Sequence, residues 1–492
     1  MPTEVSPDSK LRLASVPAAV RHVHLIGVAG TAMAALAGML AERGFRVTGS
    51  DDQLYEPAAS LLRRSRVEVT LGLGPQNLSP APDLVVVGNV IPRANPEAQA
   101  LLAGRIPYLS MPEALWHFFL CERRVLMVAG THGKTTSTAM MAHVLASAGR
   151  DPSMLVGGMS LDFKSNYRIG AGGDFVIEGD EYDTAFFDKV PKFLHYHPHG
   201  AIVTSVEFDH DDIYRDLGHV KSSFRMLADQ LDGNRVLAVC ADSAAAIEAT
   251  AATRAQRLTF GLGAGDFRAA DISVDSGGAR FAISRAGCRI VENARLPIGG
   301  RMNVANALGV YVLLSALGVA DEEILKGFAS FSGVARRQEL VGEAGGIAVV
   351  DDFAHHPTAI RATLEAIAGR YPGRRILAAF EPRSNTSRRR VFQAEFERAF
   401  DRAARVYLGP VYFKPNDPIP EGERLQTAAL ARAIGARGPA AAACESNGQI
   451  LERMAAESRP GDVALFMSNG PFDNLPRRVL AALRDHSKEV GA

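Results

Sequence analysis

Short apolar runs that lead into glycine turns, and from there into helical patterns, recur along the chain. Apolar positions 23–26 are followed by the turn Gly27-Val28-Ala29-Gly30 and by a helical pattern rich in alanine, methionine and leucine at 33–40. Positions 47–51 and 83–88 predict two further strands. Strands that alternate with helices pack into a parallel sheet, so these residues predict a small α/β domain.

Two further α/β segments follow. The strand pattern 124–129 leads into a glycine-rich loop and an apolar helix, which predicts a central domain of the phosphate-loop ATPase type with a mainly parallel sheet. After Gly333, short apolar runs recur between helical segments at 347–352, 376–380, 404–408 and 463–467. We therefore expect an α/β protein of three domains, 1–118, 119–332 and 333–492, of which the first and third are Rossmann-like.

Composition excludes several classes of protein. The 492 residues contain 54 Lys plus Arg and 54 Asp plus Glu, so the formal net charge is zero and no global field favours nucleic acid or an anionic membrane. The four cysteines show no C-x-x-C spacing, which argues against a disulfide framework or a zinc knuckle and favours a reducing compartment. No stretch approaches the roughly 18 uninterrupted apolar residues of a membrane span, so we expect a soluble, cytoplasmic protein.

The strongest local signal is the segment Gly130-Thr131-His132-Gly133-Lys134-Thr135-Thr136. Glycines let backbone N–H groups approach a phosphate, and the dipole of the following helix favours its charge. Lys134 would neutralise the β- and γ-phosphates of ATP, and the Thr135 hydroxyl would hold Mg²⁺. The loop is shorter than the general G-x-x-x-x-G-K-[ST] form, since Val128 stands five positions before Gly133. The alternative is a glycine turn that merely starts a helix.

Acidic residues follow two apolar runs of the central segment. Glu178 follows 175–177, and the cluster Glu207-Phe208-Asp209-His210-Asp211-Asp212 follows 201–203. Because ligands bind beyond the carboxyl ends of parallel strands, we expect both groups to face the phosphate loop. Carboxylates suit Mg²⁺, and the imidazole of His210 suggests a second metal site that serves the transferred phosphoryl group. The alternative is that both are solvated acidic loops.

The first glycine turn is a degenerate match to a dinucleotide fingerprint. Ala29 replaces the second glycine of G-x-G-x-x-G, and Asp51 follows the next predicted strand. The turn fits the diphosphate of a nucleotide-sugar equally well, and the separate ATP loop favours that use. A purely structural turn and a nicotinamide dehydrogenase are the alternatives, and binding of NAD(H) without ATP would support the latter.

The run His195-Tyr196-His197-Pro198-His199 raises the question of a zinc site. It lacks the matching Cys/His pair elsewhere in the chain that a structural zinc site needs. We interpret it as a surface or packing feature.

Polar residues of the third segment fall at predicted strand ends and loops. They are Arg336-Arg337, Asp351-Asp352, His355-His356-Pro357 and the run Glu381-Pro382-Arg383-Ser384-Asn385-Thr386. Arginines in such places can bind phosphate or carboxylate with two parallel hydrogen bonds. Taken singly, each also fits a solvated loop or a helix cap.

Taken together, these motifs resemble the Mur ligase family over nearly the whole chain. In order they are a glycine-rich first domain, G-T-H-G-K-T-T, E-x-x-E-x-D, E-x-D-H, G-G-R-M-N-V-A-N and D-D-F-A-H-H-P. The resemblance implies an ATP-dependent amide-bond ligase that activates a carboxylate as an acyl phosphate. A non-catalytic ATP-driven switch is the alternative, and phosphate release that depends on both a carboxylate and an amine would exclude it.

The resemblance also implies roles for individual residues. Catalysis would involve Lys134, Glu178 and His210, and the metal would be held by Thr135, Glu178 and His210. ATP would contact Gly130, Thr131, His132, Gly133, Lys134, Thr135, Thr136, Asn303, Asn306, Arg336, Arg337 and Asp351. The UDP-sugar would contact Gly27, Ala29, Gly30, Thr31, Asp51 and Asn89. The peptide would contact His355, Arg383, Ser384 and Asn385.

Substrate choice is implied by the segments 179–189, 207–210 and 381–386. They are most similar to family members that join the tripeptide L-Ala-γ-D-Glu-meso-diaminopimelate to the lactyl carboxylate of UDP-N-acetylmuramate in murein recycling. The alternative is the addition of L-alanine to the same nucleotide-sugar in peptidoglycan biosynthesis. The resemblance implies ATP and Mg²⁺ as cofactors, no nucleic-acid or membrane partner, and a monomer or weak dimer. Several Mur ligases use a carbamylated lysine where this chain has Arg225, which cannot be carbamylated.

Overall fold

The computed structural model describes residues 7–209, 213–414 and 419–490. The chain divides into two compact units, and the boundary between them crosses two helices. The first unit comprises Met1–Glu207, Leu217–Phe267 and Leu308–Gly327, and the second comprises Phe208–Asp216, Arg268–Ala307 and Phe328–Ala492. The first unit therefore contains the predicted N-terminal domain and much of the predicted central domain.

The N-terminal part of the first unit is built on a parallel sheet. Its strands are β1 (His22–Ile26), β2 (Arg46–Asp51), β3 (Glu68–Leu71), β4 (Leu84–Val87) and β5 (Tyr108–Ser110). They lie in the order β3-β2-β1-β4-β5. The helices are α1 (Pro7–Ala14), α2 (Thr31–Glu42), α3 (Ala58–Arg64), α4 (Pro96–Ala103) and α5 (Met111–Leu115). The strand order reverses between β1 and β4, which is where such sheets open a ligand crevice.

The remainder of the first unit carries the central sheet. Its strands are β6 (Arg124–Ala129), β7 (Ser153–Ser160), β8 (Ser165–Arg168), β9 (Asp174–Gly179), β12 (Gly200–Val203), β13 (Val236–Cys240) and β14 (Gln256–Gly261). Between β9 and β12 lies a short antiparallel hairpin of β10 (Asp183–Ala185) and β11 (Asp188–Pro191). The sheet order is β14-β13-β12-β6-β9-β7-β8, parallel except for β8. The helices are α6 (Lys134–Ser147), α7 (Leu217–Gln230) and α8 (Ala244–Ala249).

The second unit contains two groups of strands. Three successive strands come first: β15 (Phe267–Asp275), β16 (Gly278–Arg285) and β17 (Cys288–Leu296). The helices α9 (Arg301–Ala316) and α10 (Asp321–Ser330), which the unit boundary crosses, follow. The second group is β18 (Glu339–Ala344), β19 (Ile347–Asp352), β20 (Ile376–Phe380), β21 (Arg405–Leu408), β22 (Ala440–Ala443) and β23 (Val463–Met467). Its order is β18-β19-β23-β20-β21-β22, antiparallel only at β18. Its helices are α11 (Pro357–Arg370), α12 (Gln393–Ala399), α13 (Thr427–Arg437), α14 (Asn447–Glu457) and α15 (Leu475–Val490).

Strand β20 explains why the strands of the third segment appear in the sequence as short continuous apolar runs. Its odd and even residues point to opposite faces of the sheet. Ile376, Ala378 and Phe380 enter one core cluster with α11, α12 and α13. Leu377 and Ala379 enter the other cluster, with α14 and α15. Both faces are covered by helices, so every position of the strand is apolar and buried.

The predicted α/β architecture is confirmed, with local differences. The predicted strands 23–26, 124–129, 201–203 and 376–380 are present within one residue at each end. Glu178 lies inside β9, whereas the sequence placed it just after a strand. The four cysteines are free, and no helix among the described residues is long and apolar enough to cross a membrane.

Candidate active site

The glycine-rich loop at 130–136 connects β6 to α6 in the way that the sequence predicts. Gly133 is the N-cap of α6 with φ +82°, and Gly130 has φ +129°. Both angles fall in a region that favours glycine. A Cβ atom on Gly130 would lie 2.2 Å from Thr204 Oγ1, so this backbone also runs too close to its neighbour for any side chain. The N-terminus of α6 thereby stays accessible to an anion.

Lys134, the first residue of α6, is held in a buried ion pair. Its Nζ donates to both carboxylate oxygens of Glu181, at 3.0 and 2.8 Å, and to the carbonyl oxygen of Gly130 at 2.7 Å. Burial alone would lower the pKa of Lys134, but the carboxylates of Glu181, Asp180 and Glu178 outweigh it and raise that pKa. The lysine is therefore a permanent cation at the start of the helix.

Thr135 and Glu178 form the oxygen-rich part of the site. The Thr135 hydroxyl donates to Glu178 Oε1 at 3.0 Å, and Glu178 Oε2 accepts from the Gly157 backbone N–H at 2.8 Å. Glu178 thus faces the phosphate loop, as the sequence predicts. A hydroxyl beside a carboxylate is a donor set that suits Mg²⁺, so these residues fit the metal that the sequence implies.

Glu207 and Asp209, the described acidic residues of the cluster after β12, have different partners. Glu207 donates its backbone N–H to Thr131 Oγ1 at 2.8 Å, and its Oε2 lies 3.6 Å from Nε2 of His132. Asp209 belongs to the second unit, where its Oδ1 accepts from the Thr386 hydroxyl at 2.8 Å. His210, Asp211 and Asp212 lie outside the described residues, so the predicted metal contact of His210 stays a prediction.

Glu181 contacts Lys134 of the phosphate loop, although the sequence did not predict it as a site residue. Its side chain is 3% exposed and pairs with Lys134 from 47 positions away in sequence. The E-x-x-E spacing of Glu178 and Glu181 was the available signal. It could not show which of the two glutamates faces the lysine and which faces the threonine.

The glycine turn at 27–30 lies at the switch point between β1 and β4. Gly27 has φ +82°, and a Cβ there would lie 3.1 Å from the Ile91 side chain. Asp51 Oδ2 accepts from the Ala29 backbone N–H at 2.8 Å, and Oδ1 accepts from the Asp52 N–H at 2.9 Å. The Asp51 carboxylate therefore holds the turn itself, a role that the sequence did not predict. Thr31 begins α2, and Asn89 follows β4 by two residues at the same edge of the sheet.

Asn303 and Asn306 lie in the first turns of α9. Asn303 is buried, and its amide donates to the Gly299 carbonyl at 2.7 Å. The Asn306 amide donates to Asn303 Oδ1 at 3.3 Å. The two side chains form a connected pair at the helix start, and their predicted contact with adenine stays a prediction.

Arg336, Arg337 and Asp351 come together where β19 ends. Arg336 has φ +57°, and its guanidinium donates to Asp351 Oδ2 at 3.1 Å and to the Ser468 carbonyl at 2.7 Å. The Arg337 guanidinium lies 4.2 Å from the centre of the Phe353 ring. Burial raises the pKa of Asp351 to about 6, although the Arg336 guanidinium works in the opposite direction.

The predicted peptide-binding residues lie in two loops of the second unit. The Arg383 guanidinium stacks 3.7 Å from the centre of the Tyr412 ring, and its Nη1 lies 3.6 Å from Glu381. The Ser384 hydroxyl is engaged with Ser387 at 2.8 Å, so it stabilises its own loop. Asn385 Oδ1 accepts from Lys414 at 3.1 Å. His355 Nδ1 lies 3.0 Å from the Phe353 carbonyl oxygen.

The three histidines at 195, 197 and 199 have separate surroundings. His195 Nε2 lies 3.2 Å from Asp188, His197 packs edge-on against Trp116, and His199 Nδ1 accepts from the Val125 N–H. Burial lowers the pKa of His197 to about 4, with the neighbouring His195 and Arg235 adding to the effect. They do not converge on one point, which agrees with a packing role.

Comparison with known proteins covers nearly the whole chain. Residues 22–120 match the model described as Mur ligase family, catalytic domain; 128–314 match the Mur ligase middle domain; and 336–470 match the Mur ligase glutamate ligase domain. A UDP-N-acetylmuramate–L-alanyl-γ-D-glutamyl-meso-2,6-diaminoheptandioate ligase of Haemophilus influenzae is 35% identical over 466 residues, 94% of this chain and 100% of the relative.

Two further relatives extend the comparison. A UDP-N-acetylmuramate–L-alanine ligase of Rubrobacter xylanophilus is 37% identical over 399 residues, 81% of this chain and 86% of that protein. The crystal structure of a murein peptide ligase from Psychrobacter arcticus is 31% identical and superposes with a TM-score of 0.70 over 94% of this chain and 99% of that one. The chain belongs to the Mur ligase family, whose members are ATP-dependent enzymes that form amide bonds.

Proposed function

We propose that this enzyme joins the tripeptide L-Ala-γ-D-Glu-meso-diaminopimelate to the lactyl carboxylate of UDP-N-acetylmuramate through an acyl phosphate. The observation that carries the chemistry is the phosphate loop with its buried Lys134 and the Thr135–Glu178 pair. The Haemophilus influenzae relative, which aligns over 94% of this chain, supports the substrates. Mass spectrometry of the products from ATP, UDP-N-acetylmuramate and a panel of amines tests the whole proposal.

The chemistry requires a phosphoryl group to reach a carboxylate, and both are anions. Lys134 supplies a fixed positive charge between them, and the N–H groups at the start of α6 supply partial charge. Thr135 and Glu178 would hold Mg²⁺, which when bound would neutralise further phosphate charge. A carboxylate oxygen attacks the γ-phosphorus of ATP, and the bond to ADP breaks with its electron pair leaving on ADP. The amine then attacks the acyl carbon and gives up a proton to solvent, and the bond between the acyl carbon and the phosphate oxygen breaks with its electron pair leaving on the phosphate.

The nucleotide-sugar is placed at the crevice beside the 27–30 turn. The first N–H groups of α2 have no partner within the helix, so they can receive a diphosphate. Asn89 lies at the same edge, and the switch point of the strand order supports the assignment.

A UDP photoprobe should therefore crosslink to residues 27–31 or to Asn89. The expected result is labelled peptides from these two segments, with labelling suppressed by UDP-N-acetylmuramate and unaffected by ADP. Peptide mapping by mass spectrometry makes the measurement. Labelling confined to the second unit would contradict the assignment.

The second unit would supply the remaining substrate contacts. Asn303 and Asn306, which form a connected pair, would receive adenine, and Arg336, Arg337 and Asp351 would close over the nucleotide. The proposed three domains have their boundaries near residues 118 and 332.

The enzyme would act in the cytoplasm, where ATP and the UDP-sugar are available, as a monomer or weak dimer.

Recognition of the tripeptide is assigned to the loop that carries Arg383. The carboxylates of the tripeptide need cationic partners, and a planar guanidinium can bind a carboxylate with two hydrogen bonds. Arg383 is 25% exposed, and Tyr412 orients it. Lys414, which reaches Asn385, adds a second cation to the same loops. His355 completes the proposed subsite.

The tripeptide should be at least about a hundredfold better acceptor than free L-alanine, because a site built for charged groups rejects a substrate that lacks them. Arg383→Ala should raise the KM for the tripeptide about tenfold and leave the KM for ATP unchanged. Arg437→Ala is the matched control, since Arg437 forms a partly exposed pair with Asp401 in the same unit.

A clear preference for L-alanine would move the protein to the alternative, a UDP-N-acetylmuramate–L-alanine ligase. The Rubrobacter xylanophilus relative is the observation that favours this alternative. The chemistry at the phosphate loop would be the same in both cases.

A further inference from the structure

An arginine of the N-terminal helix is the centre of a buried polar cluster. The Arg12 guanidinium on α1 donates to Glu113 Oε1 at 2.8 Å through Nη2 and at 3.2 Å through Nε. Its Nη2 also lies 3.4 Å from Asp188 Oδ2. The three side chains are 11%, 0% and 2% exposed. One guanidinium from the N-terminal helix therefore contacts two carboxylates that are far apart in sequence.

The two carboxylates belong to different parts of the first unit. Glu113 lies in α5, immediately after the edge strand β5, and its Oε2 accepts from the backbone N–H and hydroxyl of Ser110 at 2.8 and 2.9 Å. Asp188 is the first residue of β11, in the hairpin that follows β9 of the central sheet. Arg12 thus connects the N-terminal sheet to the central sheet's hairpin.

The turn of that hairpin packs against the core of the N-terminal sheet. Phe186 and Phe187 contact the cluster that contains Ile26, Val87 and Ile91. The Phe187 and Tyr108 rings form an edge-to-face pair with their centres 5.1 Å apart, and the Arg12 guanidinium lies 4.6 Å from the centre of the Phe187 ring. Phe187 therefore contacts both a ring of the N-terminal sheet and the guanidinium of α1.

Ile91 lies next to the glycine turn at 27–30 and belongs to the apolar cluster against which the β10–β11 turn packs. A Cβ on Gly27 would lie 3.1 Å from Ile91 Cδ1, so Ile91 is in contact range of the 27–30 turn. Ile91 and the two phenylalanines share one apolar cluster. The hairpin turn therefore packs against an apolar cluster whose member Ile91 borders the crevice where the nucleotide-sugar is proposed to bind.

The same segment of chain reaches the phosphate loop at its other end. Glu181 lies two residues before β10 and pairs with Lys134. Asp180 pairs with Lys192, which follows β11, at 2.6 Å. This second ion pair closes the base of the hairpin, so its turn and its base are separately anchored.

We propose that Arg12 is a positioning residue for nucleotide-sugar binding, because it fixes the β10–β11 turn against the apolar cluster that borders the crevice beside Gly27. The inference rests on the proposed role of that crevice. Loss of the guanidinium would remove the group that contacts both Glu113 and Asp188, leaving Asp188 with His195, and the hairpin that carries Asp188 would move away from Glu113. The phosphate loop would be spared, since Lys192 and Asp180 hold the base of the hairpin.

A metal ion is the competing interpretation of the cluster. Donor atoms of Glu113, Asp188 and His195 lie within 4.8 Å of one another, and these residue types can hold a divalent cation. The Arg12 guanidinium already contacts both carboxylates, and the His195 ring lies against Asp188. We therefore assign the cluster to the arginine, and the experiment separates the two interpretations.

The test measures binding of UDP-N-acetylmuramate and of ADP separately by calorimetry for the full chain. Arg12→Gln should weaken UDP-N-acetylmuramate about tenfold, because small displacements beside a binding site have effects of that order. ADP affinity should stay within twofold. Arg12→Lys should recover part of the lost affinity for UDP-N-acetylmuramate. Added guanidinium ion should restore that affinity in Arg12→Ala, because the shorter side chain leaves room for the ion. Arg46→Gln, at an exposed pair with Glu68, is the matched control.

Each outcome decides between the assignments. A double-mutant cycle should show that Asp188→Asn costs less affinity in the Arg12→Gln background than in the wild type, because the Arg12–Asp188 contact is already lost there while the His195 contact is common to both backgrounds. Unchanged UDP-N-acetylmuramate affinity in a folded Arg12→Gln protein would overturn the proposal, as would equal losses for both nucleotides. Restoration by Zn²⁺ or Mn²⁺ in place of guanidinium would overturn it in favour of a metal site. If the wild-type enzyme fails to bind UDP-N-acetylmuramate, the proposed function fails instead.

Discussion

Lys134→Ala should lower turnover by at least about a hundredfold while the protein keeps its fold, because a preorganised cation at a transferring phosphoryl group has an effect of this size. The lysine side chain is 13% exposed, donates to Glu181 and Gly130, and begins the helix that would face the phosphate. Steady-state release of phosphate gives the turnover number. Circular dichroism and the melting temperature report the fold.

Two controls make that result specific. Lys221→Ala removes a lysine of the same unit that pairs with Glu248 away from the loop, and it should leave turnover unchanged. Lys134→Ala also leaves Glu181 buried without its lysine, so Lys134→Ala with Glu181→Gln should recover stability but not turnover. Near-normal turnover in the single variant would remove Lys134 from the mechanism.

Glu178→Gln should raise the Mg²⁺ concentration needed for half-maximal activity about tenfold or more, since an amide replaces the charged oxygen donor of the proposed metal site. Glu178 is bonded to Thr135 and to the Gly157 N–H, and glutamine can keep one of these contacts. The Mg²⁺ dependence of ADP binding, measured by calorimetry, gives a readout independent of turnover.

The comparison variant for this experiment is Glu248→Gln. Glu248 is an exposed glutamate of the same unit, and its replacement should leave the Mg²⁺ titration unchanged. His210→Ala should shift the titration in the same direction as Glu178→Gln. An unchanged Mg²⁺ dependence in Glu178→Gln would assign that carboxylate to the architecture of the loop alone.

The sequence by itself determined those elements whose physics is local or periodic. Strands β20 and β23 were predictable because helices cover both faces of their sheet, so each strand is an unbroken apolar run. The phosphate loop was predictable because its glycines are required locally. Gly130 and Gly133 have positive φ angles, and a side chain on Gly130 would collide with Thr204. Strand β3 was missed, since it is short and mostly exposed and shows no apolar pattern.

Only the tertiary structure decided which charged groups meet. Glu181 reaches Lys134 from 47 positions away, and Arg12 reaches Glu113 and Asp188 across 101 and 176 positions. Asp51 was predicted as a ligand contact, which stays a prediction, and the fold adds that it accepts the Ala29 N–H and so holds the turn. In the sequence, an aspartate or glutamate looks the same whether its carboxylate binds a ligand, a lysine or a backbone amide. Its role follows from which donor the folded chain brings within hydrogen-bond distance, and periodicity along the sequence carries no information about that distance.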